Sequence, residues 1–254
     1  MERKITLPHA HEHMSTQLPD WMETHYASVQ CIPLPEDLPI HLAIVDVSTL
    51  EVEPLLQMCH PPVSVTRLEK CKKFHFKDDR QRSMGATLLI DYLLCTHYGL
   101  REQAVAYTYT SAGKPSLVGN PDLHFSLSHA GQYAICAFSD QVELGIDIEA
   151  LVPYDEAVAS LCMDEDERQS LESLPPEQHA ATFITSWCIK EAVLKLSGVG
   201  LSMNLFPRIH ITAQGCELAD NRYPDINMQQ IPLPGYAASL AWYATNDKKN
   251  SQKV

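Results

Sequence analysis

Apolar positions along this chain switch between two periods. The segments that carry each period can be read off in order. His41 to Val47, which follows the proline-rich stretch Pro33 to Pro39, predicts a strand. From Asp78 to His97 the apolar residues Met84, Leu88, Leu89, Tyr92 and Leu93 recur at helical spacing, with Gly99 just beyond. Val63 to Phe74 predicts a shorter helix before it. Strands are predicted over Ala104–Thr110, Leu123–Ser128, Tyr133–Phe138, Val142–Ile148, Arg208–Thr212 and Tyr236–Tyr243, with a turn at Gly113-Lys114-Pro115. Tyr133–Phe138 and Val142–Ile148 are expected to pair as a hairpin around Ser139-Asp140. Acidic helices follow over Tyr154–Leu161 and Met163–Leu174. A longer helix opens at Pro175-Pro176, carries apolar residues through Leu196 and stops at Ser197-Gly198.

Composition sets limits on this plan. The 254 residues suit one large domain or two small halves, and 45% hydrophobic content is enough for a core. No apolar run approaches the roughly 20 residues of a membrane span, and the start of the chain has no signal-peptide pattern. A cytoplasmic protein without a membrane partner is expected. The eight cysteines are scattered without a Cys-x-x-Cys pair, so reduced thiols are expected rather than disulfides.

The net charge of −13 argues against a nucleic-acid partner. The charge is uneven, however. Seven of the 19 lysines and arginines (Arg67, Lys70, Lys72, Lys73, Lys77, Arg80 and Arg82) lie in one short stretch. A compact basic patch on an acidic protein points to a small anion, against the plainer reading of solvated helix faces. His9-Ala10-His11-Glu12-His13 has the look of a metal cluster, but it lies in the first 40 residues, where partial disorder is expected.

The chemistry concentrates later. Within Gly145-Ile146-Asp147-Ile148-Glu149 the two acids are two residues apart, so a strand points both to one face. Gly145 leaves room for a ligand or another backbone. In Trp187-Cys188-Ile189-Lys190-Glu191-Ala192-Val193-Leu194-Lys195, Trp187, Glu191 and Lys195 are four apart and share a helix stripe. Three carboxylates that converge suit a hard divalent cation such as Mg²⁺. Two plainer readings compete: a solvent-facing strand, and a surface Glu–Lys pair.

Taken in order, these segments resemble the Sfp-type 4′-phosphopantetheinyl transferases. Gly145–Glu149 and Trp187–Lys195 are similar to that family's two metal motifs. Gly113-Lys114-Pro115 and Phe125-Ser126-Leu127-Ser128-His129 are similar to its coenzyme A segments, and Glu69–Phe74 with Arg82 to its basic element. The resemblance runs from about Arg67 to Leu205.

It implies an α/β (α+β) fold of two similar halves related by a pseudo-twofold axis, with the active site between them. The halves would be residues 1–143 and 144–246, with a polar tail at 247–254. It implies transfer of the phosphopantetheine arm of coenzyme A to a serine of an apo carrier protein, releasing 3′,5′-ADP. Asp147, Glu149 and Glu191 would hold Mg²⁺. Glu191 and Lys195 would be catalytic. Arg67, Lys70, Arg82 and His129 would grip phosphates, and Lys114, Pro115 and Ser128 would line the nucleotide site. A monomer would suffice. Cys188 stands where the family more often has serine or threonine. Two rivals remain: a coenzyme A or carrier binder without chemistry, and a metal-dependent nuclease.

Overall fold

The computed structural model describes residues 26–51, 69, 71–98, 106–212, 215–218 and 225–244. Arg67, Lys70, most of the Val63–Phe74 helix, the His9–His13 cluster and the tail lie outside those residues. The chain divides into two compact units, Met1–Ser111 with Pro115–Asp140, and Ala112–Lys114 with Gln141–Val254. Both mix helix with antiparallel sheet. No described helix is long and apolar enough to cross a membrane.

The first unit holds β1 (Val29–Cys31), β2 (His41–Asp46), α1 (Lys77–Tyr98), β3 (Tyr107–Tyr109), β4 (Pro115–Leu117), β5 (His124–Ala130) and β6 (Tyr133–Ser139). Its main sheet runs β1-β2-β6-β5, all antiparallel, and β3 pairs with β4 separately. Helix α1 packs Leu88, Leu89 and Leu93 onto Ala43 and Val45 of β2. Close approach depends on Gly85, where a Cβ would meet the Val47 side chain at 2.5 Å. Buried Gln81 ties the same helix to the Leu50 carbonyl, 3.0 Å away.

The second unit holds β7 (Leu144–Ala150), α2 (Glu156–Cys162), α3 (Glu165–Glu172), α4 (Pro176–Ser197), β8 (Ile209–Ile211), β9 (Cys216–Leu218), β10 (Ile226–Gln230) and β11 (Tyr236–Tyr243). The sheet order is β7-β11-β10-β9-β8. Helix α4 packs on β7 and β11, and its apolar face, from Phe183 through Cys188, Ala192 and Val193 to Leu196, forms the core with Ile209, Ile226, Ala237 and Ala241. Pro176 stands in the first turn of α4, and Gly198 ends it in the left-handed conformation at φ 67°, as the sequence predicts.

The expected hairpin between Tyr133–Phe138 and Val142–Ile148 does not form. Strand β6 already has β2 on one edge and β5 on the other, which leaves it no free edge for β7. Its hairpin partner is β5, joined through Gly131-Gln132, with Gly131 at φ 51°. Strand β7 pairs instead with β11 from Leu144↔Trp242 to Ala150↔Tyr236. The Ser139-Asp140 signal therefore marks a passage between units, not a reverse turn. β1, β4, β9 and β10 carry too little hydrophobic alternation to be predicted.

Candidate active site

Strand β7 supplies two of the key acids and α4 supplies the third. The strand lies against the helix because position 145 has no side chain. A Cβ there would sit 2.1 Å from the Ala192 carbonyl oxygen and 2.5 Å from the Leu196 amide. So Gly145 admits another backbone, one of the two roles its position suggests. Asp147 and Glu149 follow at two-residue steps on the same face. Glu191 stands one residue before Ala192 in the helix.

One ligand oxygen from each of Asp147, Glu149 and Glu191 lies within 4.8 Å of the others. Asp147 is only 1% exposed, while Glu149 and Glu191 are partly exposed. The plain reading of a solvent-facing strand fails, because Leu144 through Ile148 are all buried. Nor is Lys195 simply the partner of Glu191 on a surface helix. Its ammonium donates to Asp147 Oδ1 at 2.6 Å, across from helix to strand.

Crowding of like charge shows in the protonation of the site. Burial, then the charges of Asp147 and Glu191, push the Glu149 carboxyl up to about 7. Burial and Asp147 likewise raise Glu191. Lys195 and a hydrogen bond from Trp187 oppose both shifts. The Trp187 indole therefore stands beside two carboxylates. Its ring is held by Phe206, with centroids 4.8 Å apart, and by Phe183 at 6.2 Å. The sequence placed Trp187 on the site's stripe but did not give it this role; a donor-bearing aromatic one turn before Glu191 was the available signal.

Three carboxylate oxygens aimed together form a donor set that fits a hard divalent cation. Among the described residues the cluster consists of three carboxylates, a set unlike a thiolate-type metal centre. Cys188 is buried beside the site, but its thiol donates to the Ala237 carbonyl, 3.4 Å away. Burial and the neighbouring Asp147 push that thiol far above its ordinary pKa. The substitution for serine or threonine keeps a donor in place and adds no ligand.

The remaining predicted residues fall as follows. Arg82 of α1 pairs with Asp79 at 2.7 Å and reaches the Gly131 carbonyl at 3.5 Å, beside the turn that follows Ser128 and His129. Ser128 is buried and His129 exposed, near the end of β5. These three residues therefore gather at one end of the first unit. Lys114 belongs to the second unit. Its ammonium donates to the Leu196 carbonyl at 2.7 Å and lies 3.6 Å from Glu143, so it is anchored at the end of α4 within that unit. Arg67 and Lys70 are outside the described residues.

Comparison with known proteins supports the same assignment over the larger part of the sequence. A family model described as the 4′-phosphopantetheinyl transferase superfamily matches residues 143–241, and one described as 4′-phosphopantetheinyl transferase, N-terminal, matches residues 57–141. A 4′-phosphopantetheinyl transferase of Bacillus subtilis is 34% identical over 143 residues, which is 56% of this chain and 63% of that protein. The match to 4′-phosphopantetheinyl transferase Sfp of Bacillus subtilis strain 168 is 31% over 182 residues, covering 70% of this chain and 81% of Sfp. HetI of a Nostoc species, also a 4′-phosphopantetheinyl transferase, is 32% identical over 155 residues, 59% of this chain and 65% of HetI. With both metal-type motifs converging and both parts of the chain matched, the chain belongs to the Sfp-type 4′-phosphopantetheinyl transferase family.

Proposed function

We propose that this protein transfers the 4′-phosphopantetheine arm of coenzyme A to a serine of an apo carrier protein. Serine Oγ forms the new bond to phosphorus, the bond to the bridging oxygen breaks, and 3′,5′-ADP leaves. The observation that carries the reading is the convergence of Asp147, Glu149 and Glu191 within 4.8 Å, with the Lys195 ammonium against them.

The three carboxylates would hold Mg²⁺, which when bound neutralises the diphosphate and polarises it for attack. Glu191 is the residue to accept the serine proton, directly or through a water. Its raised pKa brings it nearer the working range of a general base. Lys195 stabilises the charge that develops on the leaving diphosphate oxygen. Arg82 and His129, with Arg67 and Lys70, grip the phosphates. Ser128, Lys114 and Pro115 line the nucleotide site. Because one chain holds every residue named, a monomer suffices. Lys72 and Lys73, exposed within the basic stretch, would steer an acidic carrier protein.

Mass spectrometry of an apo carrier protein mixed with coenzyme A, Mg²⁺ and this protein tests the reading. A phosphopantetheine mass gain is expected with wild type and is lost with Asp147→Asn or when EDTA removes the metal. No gain with any of several fatty-acid, polyketide and peptide carrier types would overturn it. Coenzyme A binding without any gain would make the protein a binder without chemistry.

A further inference from the structure

The residue before Glu191 is a lysine that solvent does not reach. Lys190 is 1% exposed. Its ammonium donates to Glu167 Oε2 at 2.5 Å and to the Cys162 carbonyl at 3.0 Å. Cys162 is the last residue of α2, and Glu167 sits in the first turn of α3. Glu167 Oε2 also accepts the Asp164 amide at 2.9 Å, while the Glu167 amide donates to Asp164 Oδ1 at 2.9 Å. One side chain therefore binds α4 to the end of one helix and to the capping box of the next.

Stability alone does not explain such a pair. Removing an ammonium and a carboxylate from water is costly, and apolar side chains of similar volume often hold a fold as well. What an apolar contact lacks is direction. Helix α4 is already seated on one side, where the Ala192 carbonyl and Leu196 amide lie over Gly145. A second, directional contact at Lys190 stops the helix from rolling about its axis. Glu191 is the neighbouring residue and Lys195 lies about one turn beyond Glu191, so that roll decides where both side chains point.

We propose that Lys190 and Glu167 are positioning residues that set the rotation of α4 and hence the aim of Glu191 and Lys195. Lys190 touches no reacting atom. The proposal rests on the reading of Asp147, Glu149 and Glu191 as the metal site. Misplacement of about 1 Å in such a constellation costs on the order of a hundredfold in rate.

The test compares Lys190→Met, Lys190→Met/Glu167→Leu and Lys190→Arg. Three quantities are read: thermal melting, Mn²⁺ affinity in the presence of coenzyme A, and kcat and KM for a carrier protein. The single change strands a buried carboxylate and is expected to lower the melting temperature. The double change removes both charges and is expected to melt near wild type. It should still bind Mn²⁺ about tenfold more weakly and lose about a hundredfold in kcat with little change in carrier KM. Lys190→Arg, which keeps the charge and donors, should recover part of the loss. A well-folded double variant with wild-type Mn²⁺ affinity and kcat would overturn the proposal. So would a double variant that does not fold, since the pair would then serve the fold itself. Wild type that binds no Mn²⁺ would instead overturn the metal-site reading.

Discussion

Lys195 donates a hydrogen bond to Asp147, from helix α4 to strand β7, with the ammonium 2.6 Å from a carboxylate that solvent does not reach. This contact links the two motifs through residues 48 apart in sequence. Lys195→Met leaves Asp147 buried without its ammonium. We expect a loss of stability on the order of 3 kcal/mol without metal. Added Mg²⁺ should shrink the gap to wild type, because a cation at the carboxylates restores positive charge beside Asp147. Denaturant melts with and without Mg²⁺ measure both effects. An undiminished gap would argue against a cation at Asp147.

Trp187 offers a cleaner separation of packing from chemistry. Trp187→Phe keeps an aromatic ring between Phe183 and Phe206 but removes the indole N–H beside Glu149 and Glu191. Supporting hydrogen bonds to metal ligands are worth about tenfold to a hundredfold in affinity. The variant should melt close to wild type and bind Mn²⁺ more weakly by a factor in that range. Equal affinities in a calorimetric titration would show that the N–H does not support the ligands.

Gly145→Ala tests the close seating of helix on strand. The added methyl meets backbone atoms of Ala192 and Leu196, which no side-chain rotation relieves. A destabilisation of about 3 kcal/mol or more is expected from overpacking. Metal affinity should fall with it, since Glu191 must move with the helix. A urea melt indistinguishable from wild type would mean that α4 can shift at no cost.

A pH-dependent prediction comes from the first unit, away from the metal site. Tyr26 donates its hydroxyl to Asp91 Oδ2, and Oδ1 of this buried carboxyl has no hydrogen-bond partner among the described residues. Burial raises the Asp91 pKa from an ordinary 3.8 to about 7. The folded state therefore holds this proton more tightly than the unfolded chain does. Its contribution is fully present below about pH 4, declines as pH rises towards 7 and is gone above that. A shift of this size corresponds to about 4 kcal/mol across the window. Asp91→Asn should remove that slope, and urea melts at pH 4.5, 6 and 8 compare the two proteins. Parallel pH profiles would refute the assignment.

How much of this was legible in the sequence depends on how local its physical cause is. Helix α4 could be bounded within a residue or two, because prolines at its start and Gly198 at its end act through their own backbone angles. The acids of β7 could be placed on one face, because a strand's alternation is local. The order of the motifs was sufficient to suggest the family. The partner of β7 could not be read in the same way. Two apolar runs separated by Ser139-Asp140 look like a hairpin, but pairing is decided by which strand edges remain open. β2, contributed from almost a hundred residues earlier, fills the edge that β7 was expected to take.

The sequence by itself determined which residues carry charge, which faces they share along each element, and where the elements stop. Tertiary structure decided what those residues meet. It made Asp147 a hydrogen-bond partner of Lys195, turned Lys114 toward the end of a helix, and buried Lys190 against Glu167. The physical reason is that an alternating pattern fixes a direction relative to one backbone, whereas a contact needs two backbones brought together. Here that approach depends on the missing side chain of Gly145 and on core packing spread over the whole unit.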